Sequence, residues 1–197
     1  MKLATPEGPF SAYLFDCDGT IADSMPLHYK AWCQALGEWN CVFSEQDFYA
    51  WGGMPVREII ERLAREQGLE LPVIELAERK ESLYFSRLAE LMPVPAVVEH
   101  IHAQHGRLPM AVVSGSTREC VEKSLDALGL LDRFDAVVCA EDYTNSKPHP
   151  EPFLVAAERL GVAPDTCLVF EDTDMGIEAA RAAGMQWVRV PAPWERG

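Results

Sequence analysis

Short apolar runs separated by segments with helical periodicity constrain the fold of this chain more than any other feature. Between the later runs, apolar residues recur at helical spacing, as at Val121, Leu125 and Leu128. Strands that alternate with helices in this way form a parallel sheet with helices on both faces. The sequence therefore predicts an α/β fold with an open, doubly wound parallel sheet. The predicted strands span residues 12–16, 109–114, 135–140, 166–172 and 185–190.

The interval between the first two predicted strands breaks this alternation. It contains no convincing strand, and apolar residues recur with helical spacing over residues 56–64 and 73–91. An insert that follows the first strand lies over the edge of the sheet where open α/β proteins bind ligands. We therefore predict an all-helical cap at residues 24–91, inserted into an α/β core formed by residues 1–23 and 92–197.

Both ends of the insert carry recognisable signals. Ser24 followed by Pro26 is typical of a helix N-terminus, with Ser24 as the N-cap. The proline spacing of "MPVPA", residues 92–96, is typical of a hinge or linker. We expect the aromatic residues of the cap to lie mainly in the core of the cap. Trp51 is also a candidate for lining the cleft between the cap and the α/β core.

The charge balance and the cysteines limit the classes of function. The chain has 31 acidic and 17 basic residues, a formal net charge of -14, which argues against nucleic acids or acidic membranes as partners. It has no apolar run long enough to span a membrane, and its N-terminus lacks the features of a secretory signal. The six cysteines show no metal-binding spacing. We expect a cytoplasmic protein whose cysteines are reduced and structural.

Two acids one residue apart follow the first predicted strand. Alternation along an extended chain places the carboxylates of Asp16 and Asp18 on one side and Cys17 on the other. One interpretation is turn chemistry, because Asp18 and Gly19 are typical strand-ending residues. The other is a Mg²⁺ site, since Mg²⁺ binds one or two carboxylates together with water or phosphate oxygens.

Three other groups follow later strands. Ser114, Gly115 and Ser116 come after the second strand, where a hydroxyl and free backbone N–H groups form an anion site or simply cap the next helix. Lys147 lies in a loop after the third strand, a position that is usually solvated. Glu171 and Asp172 close the fourth strand, where two adjacent acids are costly unless another group compensates their charge; the alternative is that they cap the helix that begins near Thr173 or Asp174. Together with the Asp16 and Asp18 pair, these groups follow successive strands and lie at one edge of the predicted sheet. Their combination and order favour a single shared site.

The segments that carry these groups resemble the four motifs of the haloacid-dehalogenase superfamily of phosphotransferases. The segments are "FDCDGT", "VVSGS", "SKPHPEPF" and "VFEDTDMGIEAARAAGM". The position of the insert is similar to that of the helical-cap branch, which includes β-phosphoglucomutase and fructose-1-phosphatase-like enzymes, and "HYKAW" at 28–32 resembles the phosphatases. The resemblance implies a Rossmann-like core and covers nearly the whole chain.

The resemblance also implies roles for the core residues. Asp16 matches the nucleophile that becomes an aspartyl phosphate, and Asp18 the general acid and base. The implied Mg²⁺ ligands are the Asp16 side chain, the Asp18 backbone carbonyl and the Asp172 side chain, with Glu171 nearby. Two acids with opposite tasks need separated pKa values, so we expect the pKa of Asp18 to be raised. Ser114, Gly115, Ser116 and Lys147 are expected to hold the transferring phosphoryl oxygens.

In the cap, the resemblance extends to His28 and Arg57. His28 matches a histidine that faces the active site, although a solvated or capping histidine is an equal alternative. Arg57 is a candidate for binding the distal oxygens of the substrate. In "WGGMPVRE", however, Arg57 lies one residue later than in the mutase, counted from Gly53, and Trp51 or Gly52 replaces the cap lysine of the mutase.

The sequence thus predicts a Mg²⁺-dependent phosphatase that hydrolyses a small phosphorylated metabolite, a sugar phosphate, and acts as a monomer. A phosphosugar mutase is the alternative within enzymes. A phospho-acceptor signalling module is a more remote alternative, because receiver domains also gather acids, a hydroxyl and a lysine at one sheet edge. Receivers carry their phosphorylated aspartate after the third strand, where this chain has Ala140 and Glu141, followed by Asp142.

Overall fold

A five-stranded parallel sheet forms the centre of the molecule. The computed structural model describes residues 3–52, 54–192 and 195. The sheet order is β3-β2-β1-β4-β5, and every neighbouring pair is parallel, which confirms the predicted open, doubly wound α/β core. Each strand is shorter than predicted by one to three residues. The strands are β1 (Ala12–Phe15), β2 (Met110–Val113), β3 (Ala136–Val138), β4 (Cys167–Glu171) and β5 (Gln186–Arg189).

Both faces of the sheet are covered by helices, as the apolar composition of its central strands requires. Alternate residues of a strand point to opposite faces, so Phe15 and Leu14 belong to different hydrophobic clusters. The Phe15 face packs against α5 and α6, and the Leu14 face against α7 and α8. These helices are α5 (Pro95–Gln104), α6 (Arg118–Ala127), α7 (Glu151–Leu160) and α8 (Asp174–Ala182).

The cap consists of helices α1 to α4, which lie between β1 and α5 and share a hydrophobic cluster of their own. Ile60, Leu76 and Tyr84 are fully or almost fully buried in it, and α1 packs along α4. The first predicted apolar stripe lies in α3, where Ile59, Ile60 and Leu63 are buried. The second, predicted over residues 73–91, lies in α4 only as far as Phe85, because the helix ends there and a short 3-10 turn follows at Leu88–Glu90. The cap helices are α1 (Met25–Gly37), α2 (Glu45–Ala50), α3 (Val56–Gln67) and α4 (Val73–Phe85).

Two adjacent chain segments join the cap to the core. The backbone N–H of Asp23 donates to the carbonyl of Met92, and that of Val94 donates to the carbonyl of Ile21, both at 2.8 Å. The proline-containing segment 92–96 therefore runs beside the exit from β1, where a hinge is expected. We propose the domain boundaries at residues 24 and 91 on this basis.

The longest cap helices, α1 and α4, have 13 residues each. A helix needs about 20 apolar residues to cross the hydrocarbon core of a bilayer. Within the described ranges, no helix combines the length and apolarity required for this.

Candidate active site

The polar groups predicted from the strand ends meet at the carboxyl edge of the sheet, beneath the cap. Asp16 follows β1, Ser114 follows β2, Glu171 ends β4, and Lys147 comes from the loop between β3 and α7. The side chains of Asp16, Ser114, Lys147 and Glu171 are all buried. They line a cavity of about 120 Å³ between core and cap. Residues more than 100 positions apart are thus brought together because carboxyl ends of parallel strands share one edge.

Lys147 joins two of the acids. Its Nζ atom donates to Oδ1 of Asp16 at 2.7 Å, to Oε1 of Glu171 at 2.8 Å and to the carbonyl of Val113 at 3.1 Å. Burial would lower the pKa of Lys147, but the negative charges of Asp16 and Glu171 outweigh it and the pKa is raised. Lys147 is therefore a permanent ammonium group at the edge of the sheet, rather than a solvated loop residue.

The acids at this edge carry more negative charge than Lys147 neutralises. Carboxylate oxygens of Asp16, Glu171 and Asp172 lie within 4.8 Å of one another. Burial and the charges of Glu171 and Asp172 raise the pKa of Asp16 well above its usual value, despite Lys147. Burial and the charge of Glu171 raise the pKa of Asp172 to about 7. Such crowding is relieved when a cation binds among the oxygens, so the donor set fits a hard divalent metal ion.

The acids differ in how many of their oxygens are free to bind a cation. Both oxygens of Glu171 already accept hydrogen bonds, Oε1 from Lys147 and Oε2 from the N–H and hydroxyl of Thr173. A Cβ atom at Gly176 would lie 1.7 Å from Oε1 of Glu171, so only glycine permits this position. Asp172 accepts from the hydroxyl of Thr20 at 3.1 Å. Asp16 and Asp172 are therefore better placed than Glu171 to offer oxygens to an ion.

Gly19 allows the turn after β1 to approach Asp172 closely. Its φ of +88° lies in the left-handed region that favours glycine, and a Cβ atom there would be 2.2 Å from Oδ2 of Asp172. Gly19 therefore serves two purposes. It closes the turn, as the simpler interpretation of the motif proposed, and it lets the segment that carries Asp18 pass directly beside Asp172.

Asp18 accepts hydrogen bonds from four side chains, the longest from the hydroxyl of Ser114 to Oδ2 at 3.5 Å. Ser24 donates to Oδ1 at 2.7 Å, Nε2 of His28 lies 3.1 Å from Oδ1, and Ser116 donates to Oδ2 at 2.8 Å. Burial would raise the pKa of Asp18, but His28 and the two hydroxyls outweigh it and hold the pKa well below its usual range. The expectation of a raised pKa is wrong for this arrangement, because every donor stabilises the carboxylate.

The loop after β2 combines helix capping with a polar lining. The hydroxyl of Thr117, not of Ser116, caps α6 by accepting from the N–H of Cys120. Ser116 is free of that task and donates to Asp18, while its N–H donates to Oγ of Ser114 at 3.1 Å. Tyr143 donates to the carbonyl of Ser114 at 3.0 Å. Ser114, Gly115 and Ser116 all line the cavity.

His28 enters the site from the first turns of α1. It is 5% exposed, and its ring stacks on Tyr84 with centroids 3.8 Å apart. Burial and the positive charge of Lys80 lower its pKa, although Asp18 acts in the opposite direction. Its Nε2 atom lies within hydrogen-bond distance of Oδ1 of Asp18. Its Nδ1 atom has no hydrogen-bond partner in the described part of the chain.

The structure does not bring Arg57 to the cavity. It is the second residue of α3, its side chain is 79% exposed, and its Nε donates to Glu61 one turn later at 2.7 Å. The described lining of the cavity includes its neighbour Val56 but not Arg57. Gly53, from which the spacing of Arg57 was counted, lies outside the described residues.

Two site residues were not predicted as such. Ser24 precedes α1 as expected, but its hydroxyl makes no capping bond and instead donates to Asp18. Lys80 is 5% exposed and lines the cavity from α4. A signal for Lys80 was present, because residue 80 falls on the apolar stripe that includes Ala77 and Tyr84, where a lysine is out of place.

Comparison with known proteins identifies the family. The model of the haloacid dehalogenase-like hydrolases matches residues 13–190. The fructose-1-phosphate phosphatase YqaB of Escherichia coli is 40% identical over 181 residues, which cover 92% of this chain and 96% of that protein. A phosphorylated carbohydrates phosphatase of Thermotoga maritima is 32% identical and is aligned over 89% of this chain and 82% of its own length. The chain belongs to the haloacid dehalogenase-like hydrolase family.

Solved structures agree with this assignment. CbbY from Rhodobacter sphaeroides, in complex with phosphate, superimposes with a TM-score of 0.85 at 25% identity, over 95% of this chain and 88% of that one. β-Phosphoglucomutase from Clostridium difficile superimposes with a TM-score of 0.81 at 27% identity. The superposition covers 94% of this chain and 86% of the mutase. The resemblance predicted from the motifs is confirmed, as is the prediction of an enzyme of the phosphatase class. Family membership argues against the receiver-module alternative.

Proposed function

We propose that this chain is a Mg²⁺-dependent phosphatase that hydrolyses a small sugar phosphate through an aspartyl phosphate on Asp16. One observation carries the proposal. Asp16 and Asp18 line the same cavity, Asp16 beside Lys147 and the acidic cluster, and Asp18 among neutral hydrogen-bond donors. Two acids of one kind thus occupy different environments. A cation at Asp16 is needed to keep the nucleophile ionised, because burial and the neighbouring acids raise its pKa.

The ion would be held by Asp16, Asp172 and the backbone carbonyl of Asp18, with Glu171 nearby. When bound, Mg²⁺ neutralises the phosphoryl group and the nucleophile, so that two anions can approach each other. Glu171 orients Lys147, because it shares the ammonium group with Asp16. Lys147 then supplies the second positive charge at the phosphoryl group.

The first step transfers the phosphoryl group to the protein. A carboxylate oxygen of Asp16 forms a bond to phosphorus while the bond from phosphorus to the sugar oxygen breaks. The carboxyl proton of Asp18 passes to that oxygen, so the sugar leaves as an alcohol. Lys147, Ser114, Gly115 and Ser116 hold the phosphoryl oxygens, and the N–H of Ser116 exchanges its bond to Oγ of Ser114 for one to the phosphate.

The second step returns Asp16 to its starting state. Asp18, now a carboxylate, takes a proton from water as the water oxygen bonds to phosphorus and the bond from phosphorus to Asp16 breaks. Inorganic phosphate leaves, and Asp18 is again protonated. The donors around Asp18 favour the carboxylate, so they suit this second step. For the first step, Asp18 must take up a proton when the substrate binds, because the negative charge of the arriving phosphate favours the protonated acid.

A sugar phosphate is the proposed substrate because the similar phosphatases are named for phosphorylated sugars or carbohydrates. A phosphosugar mutase remains a second candidate, supported by the structural likeness to β-phosphoglucomutase. Trp51 or Gly52 in place of the cap lysine, and Arg57 directed to solvent, support the phosphatase instead. β-Glucose 1-phosphate with a bisphosphate primer separates the two, since a mutase forms glucose 6-phosphate and a phosphatase releases phosphate.

We propose a cytoplasmic location and a monomeric state for this enzyme, with no nucleic acid or membrane as partner. The six cysteines support the location, because all are free thiols in the structure and reduced thiols are typical of the cytoplasm. The net charge of -14 supports the absence of polyanionic partners.

Phosphate release from a panel of sugar phosphates and phosphoglycolate, with and without Mg²⁺, tests the proposal. We expect release from at least one sugar phosphate that requires Mg²⁺, and a loss of roughly 10⁴-fold or more in Asp16→Asn, as for other nucleophile replacements. The circular dichroism spectrum of Asp16→Asn should match that of the native enzyme. Unchanged phosphate release in a folded Asp16→Asn variant would exclude the aspartyl phosphate mechanism.

A further inference from the structure

The indole ring of Trp51 forms part of the cap wall of the cavity. Trp51 lies at the C-terminal end of α2, is 7% exposed and lines the same cavity as Asp16 and Lys147. Its ring centroid lies 5.2 Å from that of Phe43, which belongs to the cap core. The ring therefore has the hydrophobic core behind it and the cavity beside it.

A guanidinium group covers one face of this ring. The Cζ atom of Arg62, on α3, lies 3.9 Å from the ring centroid of Trp51, the distance of a close cation–π contact. Arg62 makes this contact from outside the cavity, whose described lining does not include it. Nε of Arg62 donates to Glu66 at 2.8 Å, one turn further along α3, which holds the guanidinium in place.

The rest of the cap wall is mainly apolar. Met25, Phe48 and Ile59 line it together with Trp51, and Lys80 supplies an ammonium group. The phosphoryl-binding groups lie on the opposite, core side. A substrate with its phosphate at Asp16 therefore directs the remainder of the molecule towards this wall. A sugar presents C–H groups that pack well on an aromatic ring.

We propose that Trp51 is a specificity-determining residue that packs against the C–H face of the sugar, and that Arg62 is a positioning residue that holds the indole for this contact. The inference rests on the proposed phosphatase function and extends it to a substrate class. The preferred substrates are monophosphates whose alcohol is large enough to reach the cap wall. Small phosphates such as acetyl phosphate bind only the core groups and do not reach Trp51.

The test compares two substrates in the same variants. The readout is the ratio of kcat/KM for the best hexose monophosphate of the panel to kcat/KM for acetyl phosphate. In Trp51→Ala and Arg62→Ala we expect this ratio to fall by roughly tenfold, about 1.4 kcal/mol of binding free energy. The fall should come from a higher KM for the hexose phosphate. Arg62→Lys, which keeps a cation over the ring, should restore part of the ratio.

Arg65→Ala is the matched control, because Arg65 is exposed on the same helix as Arg62. It should keep the native ratio. Arg62 is on the cap surface with its side chain 38% exposed, so Arg62→Ala will fold even if Trp51→Ala loses stability. A native ratio in Arg62→Ala, or equal losses for both substrates, would overturn the inference while leaving the phosphatase function intact. A native enzyme that hydrolyses neither substrate would refute the proposed function and the inference with it.

Discussion

Lys147 and Asp16 are 131 residues apart in sequence, yet their Nζ and Oδ1 atoms lie 2.7 Å apart at the edge of the sheet. The pair is buried and shares its charge with Glu171. It links the loop after β3 to the end of β1, on the side of the cavity that we assign to phosphoryl transfer. The pair therefore contributes to the stability of the fold as well as to the proposed chemistry.

Replacing Lys147 by alanine should destabilise the protein. The variant leaves Asp16 and Glu171 buried without a counter-charge, and breaking a buried ion pair in this way costs about 3–5 kcal/mol. Urea unfolding in the presence of a chelator measures the change. Mg²⁺ should recover part of the lost stability, because it binds the same acids. Lys123→Ala is the control, since Lys123 pairs with Glu119 on the surface. Equal stability of both variants would contradict the prediction.

A divalent cation should stabilise the native enzyme through Asp172. Ligand at about 100 times its Kd adds roughly 2.7 kcal/mol to the free energy of unfolding. Thermal unfolding with and without Mg²⁺ should show this gain in the native enzyme and its loss in Asp172→Asn. Asp174→Asn should keep it, because the side chain of Asp174 is 94% exposed and pairs with Arg189. A full Mg²⁺ effect in Asp172→Asn would place the ion elsewhere.

Asp18→Asn should separate the two chemical steps. p-Nitrophenolate leaves without a proton, so Asp16 can still attack p-nitrophenyl phosphate when residue 18 is an amide. Water attack then lacks its base, which contributes roughly 10²–10⁴-fold in such reactions. Rapid mixing should show a burst of about one nitrophenolate per enzyme, followed by slow turnover, a pattern typical of a covalent intermediate. Turnover at the native rate would remove Asp18 from the mechanism.

Asp142 should stabilise the core in a pH-dependent way. Burial would raise its pKa, but hydrogen bonds from Arg159 and the N–H of Cys139, with the charge of Arg118, outweigh it and lower the pKa. A carboxyl whose pKa is lowered on folding stabilises the protein above its unfolded pKa and loses this contribution as pH falls through the folded pKa. Asp142→Asn should therefore cost about 2 kcal/mol at pH 7 and less near pH 3, which lies below the unfolded pKa of about 4.

Urea unfolding at the two pH values checks this prediction. Asp132→Asn is a suitable control, because the side chain of Asp132 is 76% exposed beside Arg133. It should change the free energy of unfolding little at either pH. The same cost for Asp142→Asn at pH 7 and pH 3 would show that shape, and not charge, determines the role of Asp142.

Much of the fold and of the site could be predicted because both depend on local patterns. Buried parallel strands require continuous apolar runs, and the helices between them require apolar stripes, so the order of elements is visible in the sequence. Asp16, Ser114 and Glu171 could be assigned to one edge because each falls at a strand end. The resemblance to known motifs added the chemical roles, which spacing alone left open.

The cap residues were less predictable, because a helical pattern does not say which partner a polar side chain meets. Arg57 is followed by a glutamate at the next turn and pairs with it on the surface. Ser24 occupies the capping position, but the close approach of Asp18 offers its hydroxyl a better partner. The pKa of Asp18 also depends on Ser116 and His28, which come from other elements.

By itself, the sequence determined the alternating core, the helical insert and the acids and hydroxyls placed at the strand ends, because backbone periodicity and burial act over a few residues. Only the tertiary structure decided which side chains share hydrogen bonds and charge. It joined Lys147 to Asp16 and Glu171, left Arg57 in solvent and set Arg62 against Trp51. Those outcomes depend on distances between elements that are far apart along the chain, and electrostatic interactions change steeply with such distances and with burial.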